Sequence, residues 1–314
     1  MVINNKYTRL LVFMLCAVLL LAACGSNDDN DTSNKEQSDK KVTDAIGEMS
    51  FPKDPKRILA PNLEDYLVTL GIKPAAQWSI GTTVHNYLQD ELKDVPLISW
   101  DMPIEDVIEA EPDLIMFESE AAIQEGQYEE YKKVAPTYVF KEEDAADWRT
   151  LLTKMGELFG KEDQAKKAIQ DYEDKAAEAK TAVKEKIGDE SAALIWVTGG
   201  QYFVFEGDRY ASNVLYNDLG IKMPTYISKL GEAQATWQGT SLEALADLDA
   251  DHLFIAAASG EPGMETLENS SIYRSIPAVQ KGNVYTFEDS SNWTTNAKTA
   301  NAKTIDLVLD SLTK

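Results

Sequence analysis

After an apolar run from Leu10 to Leu21, the chain alternates between short, continuous apolar runs and amphipathic stretches. Runs such as Leu114-Ile115-Met116-Phe117 and Leu194-Ile195-Trp196-Val197 lack polar alternation, which predicts parallel strands buried on both faces. Laid over each other, the two halves of the chain repeat. Residues 103–117 (PIEDVIEAEPDLIMF) and 241–255 (SLEALADLDADHLFI) each present a glutamate, a short helix, an aspartate and a buried strand. Upstream of each copy stands Leu-Gly-Ile-Lys, at 70–73 and 219–222, with Gly predicted to cap a helix and Ile to open the next strand. Two α/β lobes of related topology follow. Between them, Lys161 to Ile187 contains no Gly or Pro, and Gly188 ends it. Opposite charges four apart, as in Glu162 and Lys166 or Asp171 and Lys175, support a helix there. At 1.5 Å per residue it would be about 40 Å long, either a stiff bridge between the lobes or a surface helix of the second.

The first residues change the picture of where the protein works. Lys6 and Arg9 precede the apolar run, which ends in Leu21-Ala22-Ala23-Cys24, so residues 1–23 read as a signal peptide. The run is too short for a helix that must cross about 30 Å of hydrocarbon. Residues 24–50 carry Cys24 and then Gly, Ser, Asn, Asp and Lys, with little to bury, which predicts a disordered tether. Cys16 lies within the signal peptide, so no disulfide is expected and core packing must hold the fold.

Net charge is −23, and −25 once Lys6 and Arg9 leave, which argues against nucleic acid or anionic headgroups as partners. Composition also bounds the chemistry. With only His85 and His252, a direct metal-ion binder of the zinc or manganese type lacks converging imidazoles, and no metal site or resident cofactor is expected. No nucleophile elbow, phosphate loop or His-Glu-x-x-His is present, so no enzyme is expected.

The Leu-Ala-Ala-Cys ending, the polar tether, Pro55-Lys56-Arg57-Ile58, the repeat, the helical bridge and IYRSIPAVQKGNVYTF at 272–287 together resemble the iron-siderophore substrate-binding lipoproteins of bacterial ABC importers. The resemblance spans nearly all of 51–314. It implies two Rossmann-like lobes bridged by a long rigid helix, the class III periplasmic-binding-protein architecture, with a shallow cleft that closes little. It implies lipidation of Cys24, a permease and an ATPase as partners, a ferric siderophore as ligand, and a monomer. The membrane is touched only through the lipid, on the outer face of a Gram-positive type cell. It also implies that Glu105 and Glu243, one per lobe, dock on permease arginines. A place in a helix's first turn, where carboxylates are favourable anyway, explains them equally.

Ligands of such folds collect beyond the C-terminal ends of strands. Loops there offer Tyr66, Trp78, His85 and Trp100 in the first lobe, and Tyr202, Arg209, Tyr210, Trp237 and Trp293 in the second. Flat aromatic walls suit a bulky, partly apolar ferric complex. Trp196, inside its strand, is assigned to the core. In similar proteins an arginine between strand and helix reaches the oxygens around the iron, and Arg209 matches that position. Its replacement by alanine is expected to weaken binding without unfolding, although an ion pair with Asp208 or Glu206 is the other reading. Arg57, Arg149 and Arg274, the other arginines after the signal peptide, lie in a strand start, a helix and the IYRSIP segment. One cleft arginine favours a neutral or cationic hydroxamate complex over anionic ferric citrate or triscatecholate, and haem or cobalamin stays open as a further alternative. The lobes are expected at 51–146 and 188–314, with 147–187 as the bridge.

Overall fold

A computed structural model describes residues 39–124, 126–234 and 236–313; Cys24, the expected signal peptide and the expected tether up to 38 lie outside the described residues. Twelve strands are used below: β1 (Lys40–Thr43), β2 (Glu48–Phe51), β3 (Ile58–Leu59), β4 (Gln77–Ser79), β5 (Leu97–Ser99), β6 (Leu114–Phe117), β7 (Thr137–Val139), β8 (Ala192–Thr198), β9 (Gln201–Val204), β10 (Gly239–Thr240), β11 (His252–Ala257) and β12 (Val284–Phe287). In the N-terminal half, β3-β6-β7 form a parallel sheet and β4-β5 a parallel pair. In the C-terminal half the order is β10-β9-β8-β11-β12, with β8, β11 and β12 mutually parallel, β9 antiparallel to β8, and β10 antiparallel to β9.

The repeat is a structural one. Strand β6 lies between β3 and β7 as β11 lies between β8 and β12, and every residue of both repeat strands is buried. The conserved spacing of the aspartate now has a physical reason. Asp113 accepts hydrogen bonds from the backbone of Lys56 (2.7 Å) and Arg57 (2.9 Å), just before β3. Asp251 accepts from the backbone (2.8 Å) and hydroxyl (2.8 Å) of Ser191, just before β8. Each aspartate therefore fixes its own strand beside the first strand of its half, satisfying backbone donors that no ladder reaches. The helix of the first copy, Ile104–Glu109, is α-helical, whereas that of the second, Glu243–Asp247, is a 3-10 helix.

Three expectations are corrected. Gly71 (φ 69) and Gly220 (φ 66) do take the left-handed conformation, but the following Ile opens no strand. The Ile72 N–H is spent on Leu67 O and the Ile221 N–H on Leu215 O, closing the preceding helical turns. Residues 39–50, expected within the tether, carry the β1-β2 hairpin instead. Asp44 closes its turn by accepting from Ile46 and Gly47, and also accepts from Val139 of β7 at 3.0 Å, while Phe51 is buried against Tyr138 and Phe159. One aromatic anchor and one turn aspartate thus order a segment too polar to be read as folded. Finally, Lys175 pairs with Asp306 of the last helix, and the i,i+4 pair along the bridge is Lys167–Asp171.

The segment between the halves is two helices, α1 (Trp148–Phe159) and α2 (Glu162–Ile187), the latter capped by Gly188. Ala165, Tyr172, Ala176, Ala179 and Val183, at helical spacing, form the buried face of α2. The last helix, α3 (Lys298–Leu312), packs along α2 and returns to the N-terminal half. There buried Asp65 caps it, accepting from Thr299 N (3.1 Å) and Ala300 N (3.0 Å). One continuous apolar core runs from Phe51, Ile58 and Leu114 through α1 and α2 to Leu194 and Phe254. Large closure of one half on the other would tear that core.

Candidate functional site

In the C-terminal half, the hairpin β8-β9 places Trp196 opposite Phe203. Half-buried Trp237 lies against both, with ring centroids 5.3 and 5.9 Å away, and against Phe205 (4.8 Å) and Tyr210 (5.9 Å). The Arg209 guanidinium carbon stands 4.4 Å over the Trp237 ring and 6.0 Å over Tyr210. Arg209 is 5% exposed and Glu206 6%; Nε and Nη2 of the arginine donate to the Glu206 carboxylate, and Nη2 also to Gln234 O at 2.6 Å. The arrangement is a buried, forked ion pair on an aromatic floor. Tyr210 holds a positive φ of 43, an uncommon strain for a tyrosine, and sits where the chain turns from this pair into the next helix.

The pairing corrects one expectation. Truncating Arg209 would leave a buried carboxylate unpaired, which costs about 3–5 kcal/mol, so the change would weaken the fold as well as any ligand contact. Trp196, assigned to the core, is half-buried and shares the Trp237 surface. Its strand reads as one unbroken apolar run, so the sequence carried no signal of which face opens.

In the N-terminal half, Trp78 stacks on His85 with centroids 5.1 Å apart and planes 18° apart. Beneath them is Glu64, fully buried: Oε1 accepts from Trp78 N at 2.7 Å, and Oε2 lies 3.8 Å from His85 Nε2. Burial pushes the Glu64 carboxyl up to about 7 and the His85 imidazole down to about 4, so a neutral pair is favoured. Trp100 is 53% exposed and follows β5 beside exposed Ile80, which follows β4. Tyr66 is buried and donates its hydroxyl to Asn296 O (2.8 Å), joining the halves. Asn86 donates to Asp289 (3.2 Å) across the same seam.

Glu118 follows β6 directly. Its surface is exposed, yet desolvation by surrounding protein raises the pKa of its carboxyl. A cavity of about 610 Å³ opens beyond β6 and β7 (Ser119, Glu120, Phe140, Lys141, Glu142), and one of about 380 Å³ beyond β11 and β12 (Ser259, Glu261, Glu265, Glu288). Both lie at C-terminal strand ends, related by the repeat, and both are acid-lined. A hollow of about 630 Å³ behind the β1-β2 hairpin holds none of the predicted site residues.

The predicted residues thus separate into groups. Arg209, Tyr210 and Trp237 come together, as do Trp78 and His85, while Trp100 forms an exposed rim and Tyr66 a strut. Tyr202 is buried and donates to Gly263 O, away from them. Trp293 is corrected outright: it is 0% exposed, packed 4.7 Å from Phe287 and 6.1 Å from Phe254, and belongs to the core. Glu105 and Glu243 are exposed in first turns, and neither has an ion-pair partner among the described residues. His252 is held by Glu190 (2.8 Å) and Tyr285 (3.2 Å) at the start of β11. Among the described residues no group of three or more His, Cys, Asp or Glu is placed to hold a metal, and no helix is long and apolar enough to cross a membrane.

Residues 59–290 match the periplasmic binding protein family. The chain is 30% identical to a probable siderophore-binding lipoprotein, YfiY, of Bacillus subtilis over 93% of each chain. It is 29% identical to the iron(3+)-hydroxamate-binding protein FhuD of the same organism over 96% of each. Among solved structures it is similar to a FhuD fold-family periplasmic binding protein component of a Fep/Fec-like ferrichrome ABC transporter from Bacillus subtilis, with TM-score 0.71, 25% identity, and coverage of 87% of this chain and 100% of that one.

Proposed function

This chain belongs to the periplasmic binding protein family, and from that premise we propose that it is the substrate-binding lipoprotein of an ABC importer, capturing a ferric siderophore of the hydroxamate class. Lipidated Cys24 holds it to the outer face of the membrane, and a permease with its ATPase receives the ligand. The observation that carries the reading is the aromatic floor of Trp196, Phe203 and Trp237 beneath a charge-compensated arginine. Such a surface takes a bulky complex through flat apolar contact and a few donors, without a cluster of cations that would select an anion. The continuous core under α2 supports capture with little closure.

Glu105 and Glu243 are the permease contacts in this reading, since both are exposed, one per repeat, and unpaired among the described residues. Reversing both, Glu105→Lys with Glu243→Lys, is expected to cut uptake of the iron-55 complex to about a tenth or less while ligand affinity stays unchanged, because like charges then meet at the docking face. Uptake surviving the double reversal would remove the docking role, and loss of binding would show that the change had disturbed the fold.

A further inference from the structure

We propose that Glu206 sets ligand specificity: by cancelling the charge of Arg209 it biases the site against anionic ferric complexes. This deepens the siderophore reading and rests on it. Both members of the pair are buried, so the neutralisation takes place out of solvent, where charge acts most strongly. The other arginines of the folded body offer no replacement cation. Arg57 donates to Ala110 O and Glu111 O at the end of a helix, Arg149 is held by Asp147, Glu173 and Asp218, and Arg274 donates to Glu268 O.

An anionic complex entering here meets a neutral pair and gains no net attraction from it. A neutral or cationic complex loses nothing by that cancellation, because flat contact with half-buried Trp196 and Trp237 does not depend on net charge. Glu206 also keeps the guanidinium fork in one orientation. Glu206 is thus a positioning and charge-setting residue; its contact is with Arg209.

The test uses the full-length lipidated chain in detergent micelles, as the parent protein, Glu206→Gln and Glu206→Asp, each checked by thermal melting. Tryptophan quenching is titrated with ferrichrome as a neutral probe, ferrioxamine B as a cationic one, and ferric dicitrate and a ferric triscatecholate as anionic ones. Glu206→Gln is expected to raise affinity for the anionic probes relative to ferrichrome by about tenfold or more, and Glu206→Asp to keep the parent ratio. An equal change for all probes, or no gain in anionic affinity, would overturn the proposal. If the parent binds neither ferrichrome nor ferrioxamine B, the hydroxamate reading fails by itself, and the anionic arm still decides on Glu206: a gain sustains charge cancellation and no gain overturns it. Should Glu206→Gln not fold, the parent's salt dependence decides. Any anionic affinity is expected to stay flat between about 50 and 500 mM salt, and a fall of about tenfold would show an uncancelled charge.

Discussion

Replacing Trp293 by alanine lowers the free energy of unfolding by about 4 kcal/mol, whereas replacing Trp100 by alanine lowers it by no more than about 0.5 kcal/mol. Trp293 is wholly enclosed, with Phe254 and Phe287 against its ring, and its removal leaves a cavity that rigid strands β11 and β12 cannot collapse to fill. Its carbonyl also accepts from Ala211 N beside the Arg209–Tyr210 turn. The indole N–H lacks a hydrogen-bond partner among the described residues, a cost already present in the native state, so Trp293→Phe is expected to lose much less than Trp293→Ala. Trp100 is mostly in solvent and contributes little to folding. Urea unfolding of the three variants checks this ordering. Equal, small losses at both positions would return Trp293 to the surface and to the ligand site.

The second expected effect lies in the pH dependence of stability. Burial moves the Glu64 carboxyl from 4.5 to about 7, so the folded chain keeps a proton there that the unfolded chain has already released. The stability this proton contributes is full below pH 4.5 and is lost as pH rises to about 7. His85 runs the other way. Its pKa falls by burial from 6.5 to about 4, so its contribution is full above pH 6.5 and is lost as pH falls towards 4. The two slopes oppose each other through the window they share, and the parent protein should be flat there. Glu64→Gln removes only the first. The stability of the variant minus that of the parent is therefore expected to rise by about 3 kcal/mol between pH 4.5 and 7, at about 1.4 kcal/mol per pKa unit. Urea unfolding at stepped pH measures the difference, in which all other titrating groups cancel. A difference independent of pH would mean that Glu64 is ionised in the folded protein.

Much of this architecture was legible because it is written locally. Continuous apolar runs gave buried parallel strands at 114–117 and 252–257, and the uninterrupted helix-forming stretch ended at Gly188 as read. The site was legible only in part. Loops after strands marked Arg209, Tyr210 and Trp237 as candidates, as they did Tyr202 and Trp293, but not which of them meet, and the Glu206 bond that redefines Arg209 could be named only as an alternative, since three-residue spacing fits a pair or none. Trp293 could not be told from a cleft tryptophan, because both follow a strand and only tertiary packing separates them. Long-range closure left no local mark either: Asp65 capping α3 joins residues far apart in the chain, and the β1-β2 hairpin depends on Asp44 finding Val139. Hydrophobic periodicity reports which face is buried, not against what.

The most direct test of the proposed function is a titration of intrinsic tryptophan fluorescence of the purified protein with a ferric hydroxamate, run beside ferric citrate, ferric catecholate, haem and cobalamin and corrected for ligand absorption. Saturable, submicromolar quenching by the hydroxamate, stronger than by the anionic complexes, is the predicted result. No response to any iron complex would contradict the account.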